Sequence, residues 1–441
     1  MKNLILIVVL FLSKLLNANP IEWVQQNMPI PYSFQINNIA FDQKNNLLLI
    51  VGNDGIITID PKDNSLISHE LQGENIYSIY TVDGSIFLGS FAGKLYSKLK
   101  GEEFWTNKKI TESTITKIIG YQNQLFFATS HLAKNHSGDG LYYSPDFSEN
   151  IQKIDFQPFN NKNIEAMVIN SSGRIYVGLG DAFLSGALYY SDNQGVNWIK
   201  HQITINGNGV VKDEIYPDEF LSLDIDNSDS LIIGITGRSD GVGIQFTAKN
   251  HQNLTDKWTI TRIRDNGWFW YQPYSMGIFK LKSGRFLSTA YPSKNIGGIY
   301  ISNTSANVFY QINEGMPAIG GYYRPIYFAE NNDGGLYAIQ QGLPNVWALN
   351  NANQISLGDD KSNLVGELPI YPNPARDGFN VNLKILWNKV ELYDISGKKV
   401  IDKNYSEIND DLVDISNLKP GVYLVMVYSE NKVYQNKLIK Q

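Results

Sequence analysis

Seven times between residues 37 and 350 the chain runs through a polar turn, a short β-branched or aromatic strand, a variable loop, and a glycine-led strand that often ends in Ser or Thr. The turn-and-strand pieces are 45–52, 83–89, 123–128, 172–178, 229–234, 284–289 and 333–339, with their ends 37 to 56 residues apart. The glycine-led partners read GIITID from Gly55, GKLYSK from Gly93, GLYYSP from Gly140, GALYYSD from Gly186, GIQFTA from Gly243, GIYISN from Gly298 and a degenerate NVWALN from Asn345. An apolar strand precedes each pair, as in Ile39-Ala40-Phe41 and Ile326-Tyr327-Phe328, and a strand carrying an aromatic usually follows. A unit of this size cannot bury its apolar face alone, so successive units must stack. Four short strands at this period predict an all-β fold: a seven-bladed β-propeller over 19–357, followed by a small C-terminal β-sandwich. The weak seventh unit leaves a six-bladed ring with an irregular segment as the alternative.

A ring of sheets must hide its last open edge. The stretch Glu22-Trp23-Val24-Gln25-Gln26-Asn27-Met28-Pro29 echoes residues 308–317, the outer strand of the sixth unit, whereas the seventh unit has no aromatic outer strand of its own. Residues 22–28 are therefore expected to complete the last blade. Residues 353–357 are the local alternative.

The fourth unit contains Ser191-Asp192-Asn193-Gln194-Gly195-Val196-Asn197-Trp198, with fainter echoes from Ser97, Ser144 and Ser302. It resembles the Asp-box (S-x-D-x-G-x-x-W) of sialidase and BNR-type propellers, with Asn193 in place of the usual Asp. The motif builds a hairpin: hydroxyl and carboxylate or amide fold the turn, glycine takes a left-handed backbone, and tryptophan packs beneath. It speaks for fold and not for chemistry.

The two ends of the chain carry addresses. Lys2, the apolar run from Leu4 to Ser13 and the small-residue exit Leu16-Asn17-Ala18 form a signal peptide over 1–18, too short an apolar stretch to span a bilayer. From 368 to 441 the chain reads as a compact β-domain with turns at Ser396-Gly397 and Pro420-Gly421, behind a polar linker at 358–367. Its YPNP entry at Tyr371, VELYDISGKKV from Val390, LKPGVYLV from Leu418 and its basic tail resemble the type A C-terminal sorting domain of the type IX secretion system of Bacteroidetes. The resemblance implies handling by that machinery, passage through the periplasm, and release or display at the outer-membrane surface.

Composition narrows the partners. Net charge is -6, and no long basic run gives nucleic acid a footprint. With no cysteine and five scattered histidines, neither thiolate chemistry nor a zinc spacing is supported, and no metal or cofactor is expected.

In a propeller the loops between second and third strands share a face with the connections from one outer strand to the next inner strand. Residues there that combine aromatic surface with polar groups suit a glycan, peptide or protein ligand, since a ring stacks on apolar C–H faces while polar neighbours take hydroxyls. The candidates are Asp181, Asp213, Glu214, Tyr216, Arg238, Asp240, Trp268, Trp270, Tyr271, Tyr322, Tyr323 and Arg324. Packing between blades is the competing role for Trp268, Trp270 and Tyr271. A sialidase-like glycosidase needs an arginine cluster, a Tyr–Glu pair and an acid. The early Arg-Ile-Pro of that family is absent, and Tyr323-Arg324-Pro325 comes late and lacks the middle residue. No catalytic residue is assigned. A binding module is favoured, with an extracellular glycoside hydrolase or lyase as the alternative.

Overall fold

The computed structural model describes residues 22–130, 138–180, 187–201, 219–226, 229, 231–236, 244–248, 259–261, 275–290, 298–302, 309–316, 326–350, 365–368, 370–381, 387–395, 398–404, 412–429 and 433–441. The chain divides into two compact units, with the boundary between Ser356 and Leu357.

The first unit is all-β and propeller-like; its described residues form six successive four-stranded antiparallel meanders and a seventh sheet whose three consecutive strands are joined by one from the N-terminal end. Their inner strands are Ile36–Asp42, Ile76–Val82, Thr114–Tyr121, Asn163–Ile169, Glu219–Ile225, Ser275–Lys280 and Ile326–Glu330. One bridging pair, Gly180 with Glu219, joins the fourth meander to the fifth. Each inner hairpin turns through a left-handed residue, among them Asn46, Gln122, Asp229, Gly284 and Gly334, which explains the Asn, Asp and Gly that punctuate the repeat. The glycines that lead the third strands have a steric reason as well. At Gly55 (φ +92°) a Cβ would lie 2.1 Å from the Glu70 carbonyl oxygen, and at Gly93 (φ +71°) 2.1 Å from that of Thr111.

Among the described residues, apolar side chains of neighbouring units meet at several junctions. Leu49, Val51 and Ile56 pack with Ile76, Leu88 and Tyr96, and Phe87 and Leu95 with Ile115, Ile118 and Phe127. Phe126 and Leu141 join Ile164, Val177 and Trp198. The sixth and seventh units share a core that includes Leu287, Ile299, Phe328 and Trp347. The seventh also packs on the first, through Tyr337, Ile339 and Val346 against Phe34, Ile39 and Ile50.

The fourth strand of the seventh meander is supplied by Trp23–Gln25, antiparallel to Val346–Leu349, with Trp23 opposite Leu349. Trp23 is 2 % exposed, its indole N–H donates to the Ile312 carbonyl at 2.7 Å, and its ring centroid lies 6.1 Å from that of Phe328. One tryptophan thus stitches the N-terminal strand to the sixth and seventh units together. Residues 353–357 and the signal segment 1–18 lie outside the described residues.

Around Ser191 the turn is built as its residues require. The Ser191 hydroxyl accepts from the Gly195 N–H at 2.9 Å, Asn193 Oδ1 accepts from the Asn197 N–H at 2.8 Å, and the Trp198 indole N–H donates to the Gly195 carbonyl at 2.9 Å. In the third unit Asp146 Oδ1 likewise takes the Asn150 N–H at 2.8 Å and the Ser144 hydroxyl at 3.0 Å. An amide oxygen at 193 therefore does the work of a carboxylate at 146, since the turn needs only an acceptor.

The C-terminal unit has a five-stranded sheet in the order Val365–Glu367, Val433–Lys440, Gly421–Ser429, Trp387–Asp394, Lys399–Asn404, and a three-stranded sheet of Ile370–Tyr371, Gly378–Val381 and Leu412–Asp414. Leu368, Phe379, Val390, Leu392, Val413, Val425, Val427 and Leu438 form its core, drawn from both sheets. Composition assigns residues 365–367 to the linker, but they pair in parallel with the start of the last strand. A polar, three-residue edge strand has no periodicity to reveal it. The YPNP entry holds the basic tail: the Asn373 amide donates to the Lys437 carbonyl at 2.6 Å and accepts from the Ile439 N–H at 3.0 Å.

Candidate functional site

Six of the seven inner strands carry the same irregularity. Register slips by one residue at Asn37, Tyr77, Thr116, Glu165, Leu221 and Met276, each time just inside the start of the strand. A bulge bends and twists the strand, and its neighbourhood is used to tie units together. The Asn37 amide donates to the Ile76 carbonyl at 2.8 Å, the Ser78 hydroxyl to that of Ile115 at 2.7 Å, Thr116 to Ile164 at 3.2 Å and Ser222 to Ile278 at 3.3 Å.

These strands surround a cavity of about 640 Å³, bounded by residues of the first, second, third, fifth, sixth and seventh units. That volume suits a small ligand. At the strand-end side, Lys282 Nζ donates to Gln43 Oε1 at 2.6 Å, the Asn331 carbonyl at 3.0 Å and Asn332 Oδ1 at 3.2 Å, while Gln43 donates to the Glu330 carbonyl at 2.7 Å. Burial pushes the Glu330 carboxyl above the usual range, partly offset by the Lys282 backbone N–H at 2.7 Å and by the charge of that lysine.

The same wall includes Lys117, from the third unit, and Asp224, from the fifth. Burial pushes the Lys117 ammonium below the ordinary lysine range, against the pull of Asp224. It also pushes the Asp224 carboxyl up, against hydrogen bonds from the Ile225 and Lys280 backbone N–H groups, each 2.8 Å long, and the charges of Lys117 and Lys280. Neither an ion pair nor a hydrogen bond joins the two side chains. Tyr80 adds an aromatic wall and settles over Gly120, where a Cβ would fall 2.7 Å from its hydroxyl.

All twelve residues singled out from the sequence, Asp181, Asp213, Glu214, Tyr216, Arg238, Asp240, Trp268, Trp270, Tyr271, Tyr322, Tyr323 and Arg324, lie outside the described residues. Reading the loops for polar and aromatic content overlooked Lys117 and Asp224. The signal was present in the inner strands, as a charge in TITKII and another in FLSLDI where sister strands are apolar or small.

Residues 369–441 match the family described as Secretion system C-terminal sorting domain. The chain is thus marked for export by the type IX secretion system to the cell surface or extracellular space. Among the described residues no helix is long and apolar enough to cross a membrane. Two curated relatives match over short stretches. Ulvan lyase NLR42 of Nonlabens ulvanivorans is 34% identical over 80 residues, 18% of this chain and 15% of the relative. An endo-acting ulvan lyase of Formosa agariphila is 33% identical over 99 residues, 21% of this chain and 18% of the relative. The chain spans less than a fifth of either relative's length. In fold it is similar to a structure of YCF48 bound to D1 peptide (TM-score 0.52, 11% identity, covering 79% of this chain and 98% of that one). It is similarly related to YCF48 from Cyanidioschyzon merolae (TM-score 0.51, 11% identity, 74% and 98%).

Proposed function

We propose that the protein is an exported seven-bladed β-propeller, closed through residues 22–28 and followed by a β-sandwich sorting domain, that binds an extracellular glycan, peptide or protein. The observation that carries this reading is the 640 Å³ cavity framed by inner strands of six units, with a lysine and a carboxylate unpaired to each other in its wall. Tyr216, Tyr271 and Arg324 stand three, four and two residues upstream of inner strands. Chain connectivity therefore favours a ligand that enters from the strand-start face and meets them first. Packing of the first unit on the seventh and the pairing of Trp23–Gln25 support the closed ring, and the serine-led turn at 191 supports the Asp-box assignment.

A peptide ligand is in keeping with the bound state of the YCF48 structure, and a polysaccharide with the names of the two curated relatives. Those relatives match over 80 and 99 residues, about the size of the C-terminal unit, which favours shared export equipment over shared catalysis. A lyase or glycoside hydrolase is the second reading, kept by the carboxyls of Asp224 and Glu330, whose raised affinity for protons suits general acid work.

The test is a glycan array and a peptide array probed with the mature chain, run beside turnover assays on ulvan and aryl glycosides. Binding without turnover is the expected result. Turnover that disappears in Asp224→Asn or Glu214→Gln would replace the module with the enzyme.

A further inference from the structure

The repeat supplies its own control for what an inner strand needs. Directly after the bulge the strands place Asn38, Ser78, Lys117, Ala166, Ser222 and Gly277, and two residues further on Ala40, Tyr80, Ile119, Val168, Asp224 and Phe279. Five small or neutral residues fill the first position and five uncharged ones the second, so neither charge is required to build a strand. Both charged residues are partly buried and line the cavity, where loss of hydration disfavours the charged form and no paired contact offsets it. Among the described residues the Lys117 ammonium has no hydrogen-bond partner, while each Asp224 oxygen is already oriented by one backbone N–H and keeps a free lone pair. What remains is a cationic donor and an anionic acceptor in the wall of one cavity.

We propose that this pair is a binding site for a small amphoteric ligand, with Lys117 holding its carboxylate and Asp224 accepting from an ammonium or hydroxyl group a few atoms away. The site rests on the binding reading above and deepens it by naming the chemistry of one contact in the cavity. Its complementarity is specific. An amine alone leaves Lys117 unpaired and an acid alone leaves Asp224 unpaired, whereas one molecule carrying both restores a partner to each buried charge.

The probes are ω-amino acids from glycine to 6-aminohexanoate, with the matching alkanoates, alkylamines and potassium chloride at equal ionic strength. The readout is acylation of Lys117 by trace acetic anhydride in the intact mature protein, quantified by mass spectrometry against surface lysines such as Lys44 and Lys108. At a working pH below the lysine pKa, a carboxylate that raises that pKa by one unit lowers the reactive neutral fraction about tenfold. The expected result is protection of that order by one or two chain lengths, weaker protection by the matching alkanoate and none by amine or chloride. Asp224→Asn should abolish the preference for the amino acid over the alkanoate, and Lys117→Met should abolish the thermal shift the best probe gives the wild type. Equal protection by chloride, or none by any acid, overturns the proposal. Array binding with Lys117 unprotected leaves the outer face standing and removes this site, and protection with empty arrays does the reverse.

Discussion

Lys117 is maintained against its own energetics. Burial outweighs the attraction of Asp224, so the folded protein disfavours the charge it carries. Lys117→Met keeps the volume and removes the penalty, and should raise stability by about 1 kcal/mol, since apolar replacement of poorly paired buried charge is commonly neutral or stabilising. A melting curve of the mature protein at pH 7 measures this, and a fall of similar size would mean that Lys117 has a stabilising partner. Gly55→Ala should act in the opposite direction. Its left-handed backbone and the Glu70 carbonyl 2.1 Å from a new Cβ leave no room, and a loss of about 1–3 kcal/mol is expected from strain of this kind, read by the same melting curve. At this scale the sequence was legible where a residue obeys the repeat. Gly55, Gly93, Asn46 and Trp198 follow from turn chemistry, whereas Lys117 and Asp224 are exceptions to a pattern and emerge only when the bulges align the strands.

Two elements have energetics that local sequence does not contain. The strand Trp23–Gln25 is three residues long and finds its partner more than 300 residues away, at Val346–Leu349. Trp23→Ala removes a buried indole and its bond to Ile312, and should cost about 3–5 kcal/mol, with faster hydrogen exchange concentrated in peptides covering 309–316 and 346–349. Uniform exchange across all seven units would instead show that the strand is not a separate closure. In the C-terminal unit Glu391 sits at the centre of a charged cluster on its sheet. Burial pushes its carboxyl up, but hydrogen bonds from Lys389 (2.6 Å), Lys399 (2.7 Å), Tyr393 (2.6 Å) and Tyr428 outweigh burial and hold it well below the usual range. A carboxyl depressed in the folded state stabilises fully above its unfolded value, near 4.5, and loses that contribution as pH falls toward the folded value. Exchange in Gly421–Ser429, corrected for the intrinsic rate, should therefore accelerate below about pH 4.5, and Glu391→Gln should flatten that dependence. An unchanged profile in the variant would show that Glu391 is not the acid-sensitive group.

For the whole molecule, the export domain and the propeller-like body are separate compact units with separate tasks. Removing residues 365–441 should leave the protein in the periplasm while the body remains folded, as fractionation and limited proteolysis would show; delivery to the medium or surface without them would mean that the address lies elsewhere. Most of the architecture was readable beforehand, because strand-and-turn chemistry is local. The expected piece 123–128 corresponds to Gln124–Ser130, 172–178 to Ile175–Gly180, and 284–289 to Phe286–Ala290, each limited by the same glycines and polar turns. The C-terminal match was readable for the same reason, its motifs being short and contiguous. The sequence by itself therefore determined the strands, the repeat and the address. Only the tertiary structure decided which residues line one cavity. Lys117 and Asp224 are more than 100 residues apart in the chain, and the packing of several units brings both into its wall. No local pattern records that assembly, because it depends on how each bulged inner strand packs against its neighbours.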